Sequence, residues 1–231
     1  MTSPGHDLWV FAYGSLMWRP AFPYAEAVHA RLTGWRRCFC IYSVHHRGTP
    51  ERLGMVLGLD RGGVCEGIAY RVAARDAGAV RGYLRAREQV SGVYREAFLP
   101  VELERHPPGD SAEEVMALVF IAERAHPAYA GRLPLPTQAR LIRGGKGLSG
   151  ANLDYLVSTV RHLLELGIRE RVLERLVAMV GPLARRRALA QHTSPYAAAI
   201  ARAEGRRPPP VRRCVSRAQR ERFMFRLKLG D

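Results

Sequence analysis

The chain has no apolar run approaching the ~18 residues that a membrane-crossing helix needs, which argues against a helical membrane protein. Met1 to Asp7 offers neither a basic flank leading into a long apolar segment nor a cleavage pattern, so a secretory signal is not expected. Cysteine is scarce, with four in all: Cys38, Cys40, Cys65 and Cys214. Cys38 and Cys40 are one residue apart, a poor spacing for a zinc knuckle, and no second pair completes such a site. On a strand both thiols would share one face. Free thiols in a reducing compartment are the expected state, and with them a cytoplasmic location. Internal repeats are absent as well. The glycine run Gly144-Gly145-Lys146-Gly147 is not a P-loop, because Lys146 is not followed by Ser or Thr; it is expected to be a flexible loop leading into a helix.

What is present is an ordinary globular composition. The 231 residues are 47% hydrophobic, enough for one well-buried core or a core plus a tail. The net charge of +15 raises the possibility of nucleic acid or another anionic surface as partner. Its distribution weakens that idea: from Pro182 to Asp231 there are thirteen Lys/Arg against three Asp/Glu, so two thirds of the excess lies in the last fifty residues. Two parts are therefore expected, residues 1–181 as a folded domain and 182–231 as a basic extension. Arg206-Arg207-Pro208-Pro209-Pro210 reads as an extended linker. Short helices are predicted around Pro182 to His192 and Ser216 to Leu227.

Apolar alternation and turn residues predict strands at Leu8 to Tyr13, Arg31 to Tyr42 with a bend at Gly34, Met55 to Leu59, Cys65 to Val72, Tyr94 to Leu103 and Val115 to Ala122. Asp60-Arg61-Gly62-Gly63 reads as a hairpin turn between the third and fourth of these. Helices are predicted over Arg75 to Val90, Pro136 to Arg143, from a cap at Ser149 through Leu164, and over Ile168 to Val180. Strands in the first half and helices in the second imply an α+β domain.

Three clusters carry candidate chemistry. A strand that stops at Tyr13-Gly14-Ser15-Leu16 leaves backbone N–H groups without ladder partners; they form either an ordinary turn or an anion or oxyanion site. Glu88 lies one helical turn beyond Leu84 and therefore on the apolar side of its helix. It is either a buried carboxylate with a raised pKa, suited to a general base, or a helix-edge residue paired with Arg85 or Arg87. His45-His46-Arg47-Gly48-Thr49-Pro50 lacks a further ligand at metal spacing. It reads as a turn closed by Gly48 and Pro50, with one polar side chain facing a cleft.

In order, these clusters resemble the ChaC-type γ-glutamylcyclotransferases. The likeness runs from Leu8-Trp9-Val10-Phe11-Ala12-Tyr13-Gly14-Ser15-Leu16-Met17-Trp18 through Arg36-Arg37, His46 to Pro50, Gly67-Ile68-Ala69-Tyr70-Arg71 and Tyr83 to Glu88. It continues in Tyr129-Ala130-Gly131-Arg132-Leu133-Pro134-Leu135 and Leu148 to Leu156, spanning roughly residues 8 to 180. The resemblance implies a small, mostly antiparallel or mixed β-barrel with flanking helices. It implies a carbon–nitrogen lyase that cleaves glutathione to 5-oxoproline and cysteinylglycine without metal or other cofactor. Tyr13, Gly14, Ser15 and Leu16 would hold the γ-glutamyl group, Glu88 would be the catalytic acid–base, and Arg47 would be a further substrate contact. Phe39-Cys40-Ile41-Tyr42-Ser43-Val44-His45 and Val90-Ser91-Gly92-Val93-Tyr94 depart from the family pattern and bear on which γ-glutamyl compound is preferred. Alternatives are a cyclotransferase for another γ-glutamyl amine or dipeptide, and a non-catalytic anion- or nucleic-acid-binding protein that uses the basic tail. Neither a membrane partner nor an oligomeric state is implied.

Overall fold

The computed structural model describes residues 6–88, 92–104 and 113–181. The basic extension, its Pro-rich linker and its two predicted helices therefore lie outside the described residues. The described chain forms two compact units. One comprises residues up to Ile41 together with Leu57–Arg132; the other comprises Tyr42–Val56 together with the residues from Leu133 onward.

The first unit is built on five strands: β1 (Leu8–Ala12), β2 (Glu26–Ser43), β3 (Gly54–Val72), β4 (Tyr94–Leu103) and β5 (Glu113–Ala122), with α1 (Ala74–Glu88) between β3 and β4. They close into a barrel in the order β1-β3-β2-β4-β5, and β5 returns to pair parallel with β1. Closure removes the edge strands that an open sheet of this size would expose. Alternate side chains fill the interior: Phe11, Leu32, Leu59, Val101, Val119 and Ile121 belong to one buried cluster, as expected of a small barrel packed by its own residues. The α+β class and mixed barrel agree with the expectation from the sequence.

The hairpin predicted at Asp60 to Gly63 is not there. β3 runs unbroken for 19 residues from Gly54 to Val72, so the sheet has five barrel strands where six were expected. Gly62 and Gly63 have φ of 95° and 85° and bend the strand without reversing it. β2 bends beside them at Gly34, φ 84°, and a Cβ on Gly63 would stand 3.6 Å from that of Arg36. Two long strands coiling together around a barrel each need such a bend. A glycine pair serves a bend or a reversal equally well, so local sequence does not distinguish them.

Helix α1 is tied to the barrel through Glu96 of β4, whose carboxylate accepts from Arg81 Nε and, at 2.7 Å, from Arg85 Nε. Arg81 also lies over the Phe98 ring, 5.4 Å from its centre. Val80 and Leu84 are the buried side chains of the helix.

The second unit contains α2 (Leu135–Gly144), a two-residue ladder of β6 (Lys146–Gly147) with β7 (Gly150–Ala151), α3 (Asn152–Glu165) and α4 (Arg171–Met179). Ile142, Leu156, Val160, Leu163, Leu173 and Leu176 are buried on the apolar faces of these helices. Helix α3 starts two residues later than predicted: Ala151 stands at its N-cap and Ser149 does not cap it. Ser149 lies in the β6–β7 turn, where its Oγ is 3.0 Å from His46 Nδ1.

Candidate active site at the first glycine turn

β1 ends at Ala12, and the chain turns through Tyr13 and Gly14 into a single 3-10 turn, Ser15–Met17. The amides of Met17 and Arg19 fold back onto the carbonyls of Gly14 and Ser15, each at 2.9 Å. The amides that precede them are the ones that such a turn leaves without an internal partner. A Cβ built on Gly14 would meet nothing within 4 Å, so the turn faces open space at this residue.

The carbonyls of the turn are held from behind. Arg37, only 4% exposed, donates from Nε to Tyr13 O and from Nη2 to Glu66 O. The Tyr70 hydroxyl reaches Leu16 O at 3.2 Å and Met17 O at 2.8 Å. Burial pushes the pKa of this phenol well up, so it remains a donor. The carbonyls of Tyr13, Leu16 and Met17 are thus occupied on the barrel side.

Helix α1 brings its C-terminal end to the same loop. Arg87 Nη2 donates to Ser15 Oγ at 3.0 Å and Nη1 to Arg19 O at 3.1 Å. Nη1 also donates to the Tyr83 hydroxyl at 3.0 Å. The Nε of the same guanidinium is 3.2 Å from Glu88 Oε1, whose side chain is 20% exposed. Burial drives the Glu88 carboxyl above the usual carboxylate range, against the opposing pull of the Arg87 charge and hydrogen bond. Both sequence readings of Glu88 hold together: it follows the buried Leu84 by one turn, and it pairs with Arg87. The result is a carboxylate with raised proton affinity, joined by one guanidinium to the turn beside Gly14. Such a group holds its proton to higher pH than an exposed glutamate does, which suits it to exchange a proton with a ligand.

Of the predicted site residues, Tyr13, Gly14, Ser15, Leu16 and Glu88 fall in this one unit. Arg47 belongs to the other, where its guanidinium donates to Ser149 O and, at 3.3 Å, to Ala151 O. It also stands 5.1 Å from the centre of the Tyr155 ring. The His45 to Gly48 segment and the Gly144 to Gly147 loop, read separately in the sequence, interlock there. Leu148 and Ser149 amides donate to the carbonyls of His45 and His46, both at 2.9 Å. Among the described residues no group of three or more His, Cys, Asp or Glu is arranged to hold a metal ion. Sequence reasoning missed the positioning roles of Arg37, Tyr70 and Arg87. Arg37 and Tyr70 lay inside the family-like blocks, and Arg87 was weighed only as a partner of Glu88.

Comparison with known proteins bears on the family and the fold. Residues 8–183 match the family described as ChaC-like protein. The glutathione-specific gamma-glutamylcyclotransferase of Escherichia coli (strain K12) is 34% identical over 176 residues, covering 76% of this chain and 74% of that protein. The glutathione-specific gamma-glutamylcyclotransferase 1 of Mus musculus is 33% identical over 180 residues, covering 76% and 79%. Two crystal structures of a yeast gamma-glutamyl cyclotransferase specific to glutathione superpose with TM-scores of 0.68 and 0.66, at 24% and 25% identity. They cover 75% and 76% of this chain and 95% and 98% of theirs, and they share its fold.

Proposed function

The chain belongs to the ChaC-like protein family, and from that premise we propose that it is a γ-glutamylcyclotransferase that cleaves glutathione to 5-oxoproline and cysteinylglycine. One observation carries the assignment of roles: Arg87 holds Glu88 and Ser15 at once, beside the open face of Gly14.

The reaction is intramolecular. The α-amine of the γ-glutamyl group attacks its own γ-carbonyl, a five-membered lactam closes, and the cysteinylglycine amine leaves. Free amines of this kind have a pKa near ~8 and are mostly protonated at neutral pH, so a base must act first. Glu88 removes that proton and returns one to the leaving nitrogen as the C–N bond breaks. Its raised pKa suits both halves of that task. Tyr13, Gly14, Ser15 and Leu16 hold the γ-glutamyl group in a folded, cyclising conformation, and the amides at the start of the turn face the charge that develops on the γ-oxygen. The clamps from Arg37 and Tyr70 keep those amides in place before substrate arrives, which lowers the reorganisation needed during reaction.

Cys38, Cys40 and Cys65 are free thiols, which fits the cytoplasm as the place of action; no helix among the described residues is long and apolar enough to cross a membrane.

Glu88→Gln preserves shape and removes the proton acceptor. It is expected to bind glutathione and to lose roughly a hundredfold or more in turnover, measured as 5-oxoproline release. Near-normal turnover in that variant removes Glu88 from the mechanism. A panel of γ-glutamyl amines and dipeptides in the same assay separates glutathione from the other candidate substrates.

A further inference from the structure

Cys38 and Cys40 alternate with Arg36 on β2, so the three side chains share one face of the strand. Gly58 and Asp60 of β3 lie against them. Cys40 is 1% exposed, and a Cβ on Gly58 would stand 2.8 Å from its Sγ, so the glycine leaves the space in which that sulfur sits. Cys38 is the half-buried member of the pair. Its Sγ is 4.0 Å from Gly58 O, a long contact that holds the thiol proton weakly. Cys65 lies in the barrel core with no exposure, closed to a bulky reagent.

Charge gathers around the same pair. Arg36 Nη2 lies 2.7 Å from Oδ2 of the buried Asp60. Asp60 Oδ1 accepts from Arg124 Nε and Nη2 at 2.9 and 2.5 Å and from the Tyr129 hydroxyl at 3.0 Å. The amide after Tyr129, that of Ala130, donates to Cys40 O at 2.8 Å and ties this cluster to β2. Two guanidinium groups against one carboxylate leave one positive charge in excess, and a thiolate at Cys38 cancels it. A hydrogen bond from the Cys40 thiol lowers the Cys38 pKa against the opposing effect of burial, and Arg36 lowers it further against the charge of Asp60. Cys40 is driven upward by that same bond and by burial, so it keeps its proton and remains the donor. Arg36 is 34% exposed and Arg124 50%, so the positive groups beside Cys38 also face solvent, where they attract anions.

We propose that Cys38 is a site of thiol–disulfide exchange with the disulfide of a small anionic thiol, and carries the exchanged thiol as a mixed disulfide beside Arg36 and Arg124. The Cys38 thiolate attacks one sulfur of the reagent, a new S–S bond forms and the reagent's own S–S bond breaks. The other half leaves as a thiolate and takes a proton from water; Cys38 is oxidised and the departing half is reduced. Glutathione disulfide has the required chemistry, and it is the oxidised form of the substrate proposed above. The exchange needs no turnover, so it stands or falls apart from the cyclotransferase reading.

The test incubates the full-length chain with glutathione disulfide near neutral pH, digests it after arginine and weighs the peptides over time. Residues 38–47 carry Cys38 and Cys40, and residues 214–217 carry Cys214, so fragmentation assigns each adduct. Cys38 of the folded protein is expected to react about tenfold faster than the same residue in the urea-unfolded chain, because more of it is thiolate. It is also expected to react faster with glutathione disulfide than with the neutral disulfide of 2-mercaptoethanol at low salt. Arg36→Met and Cys40→Ala bring the folded rate down toward that of the unfolded chain. Where Cys40 goes on to displace the adduct and close a Cys38–Cys40 disulfide, Cys40→Ala traps the mixed disulfide, and its absence from that variant overturns the proposal. So does labelling of residues 38–47 that persists in Cys38→Ser, which makes Cys40 the nucleophile. A folded wild-type rate at Cys38 no greater than the unfolded one, or no preference for the anionic reagent, ends the proposal without any variant having to fold.

Discussion

Glu88 is subject to two opposed influences. Desolvation raises its pKa, and the Arg87 guanidinium at 3.2 Å lowers it. A base works as its carboxylate, so activity falls as pH drops through the Glu88 pKa, and that acid limb is expected above the ~4.3 of an unperturbed glutamate. Replacing Arg87 by Met removes the opposing charge, so the limb moves to still higher pH. It also frees Ser15 and Arg19 from their tie to α1. Profiles of kcat/KM against pH for wild type and Arg87→Met test this; coincident limbs show that Arg87 does not tune the base. The spacing of Glu88 to Leu84 left a buried carboxylate and a helix-edge ion pair both open, and the family resemblance pointed to the base. Arg87 was not legible as a bridge, because Ser15 and Arg19 lie 72 and 68 residues away in sequence and no local pattern encodes such a meeting.

At the scale of elements, the glycine-rich segments serve packing. A Cβ on Gly48 would stand 2.1 Å from Gly54 N and 2.3 Å from Ser43 O, both backbone atoms that cannot rotate away. A Cβ on Gly145 would come within 2.6 Å of Arg47 O. Asn152, fully buried at the head of α3, accepts from Met55 N at 2.6 Å and donates to Met55 O at 2.7 Å, closing the same interlock. Gly48→Ala is therefore expected to cost roughly 3 kcal/mol or more. Gly78→Ala is the contrast: it lies inside α1 with nothing within 4 Å of its Cβ. There the gain in helix propensity is expected to stabilise by about 0.5–1 kcal/mol. Shifts of the denaturation midpoint in opposite directions check both expectations. The sequence read the His-Arg-Gly segment as a turn and the Gly-Gly-Lys-Gly segment as a loop leading into a helix; what joins them is a close approach between stretches about a hundred residues apart.

For the molecule as a whole, charge is unevenly placed. The last fifty residues hold thirteen Lys/Arg against three Asp/Glu, whereas the first 181 are nearly balanced. Every group given a role in chemistry or binding above precedes Gly181, and the family match ends at residue 183. A chain truncated after Gly181 is accordingly expected to release 5-oxoproline at close to the full-length rate. Loss of folding or activity on truncation makes the basic extension part of the catalytic domain.

Composition, apolar alternation and the order of short motifs were enough to determine the α+β class, most element positions and the first glycine turn, because each is written in residues within one turn or one strand of each other. The tertiary structure alone decided that β3 bends instead of reversing at Gly62-Gly63, that Arg47 closes an interlock, that Arg87 joins helix to loop, and that Asp60 gathers two arginines and a tyrosine. Each of these depends on which distant backbone or charge comes to stand opposite a residue, and closure of the barrel and packing of the helices settle that.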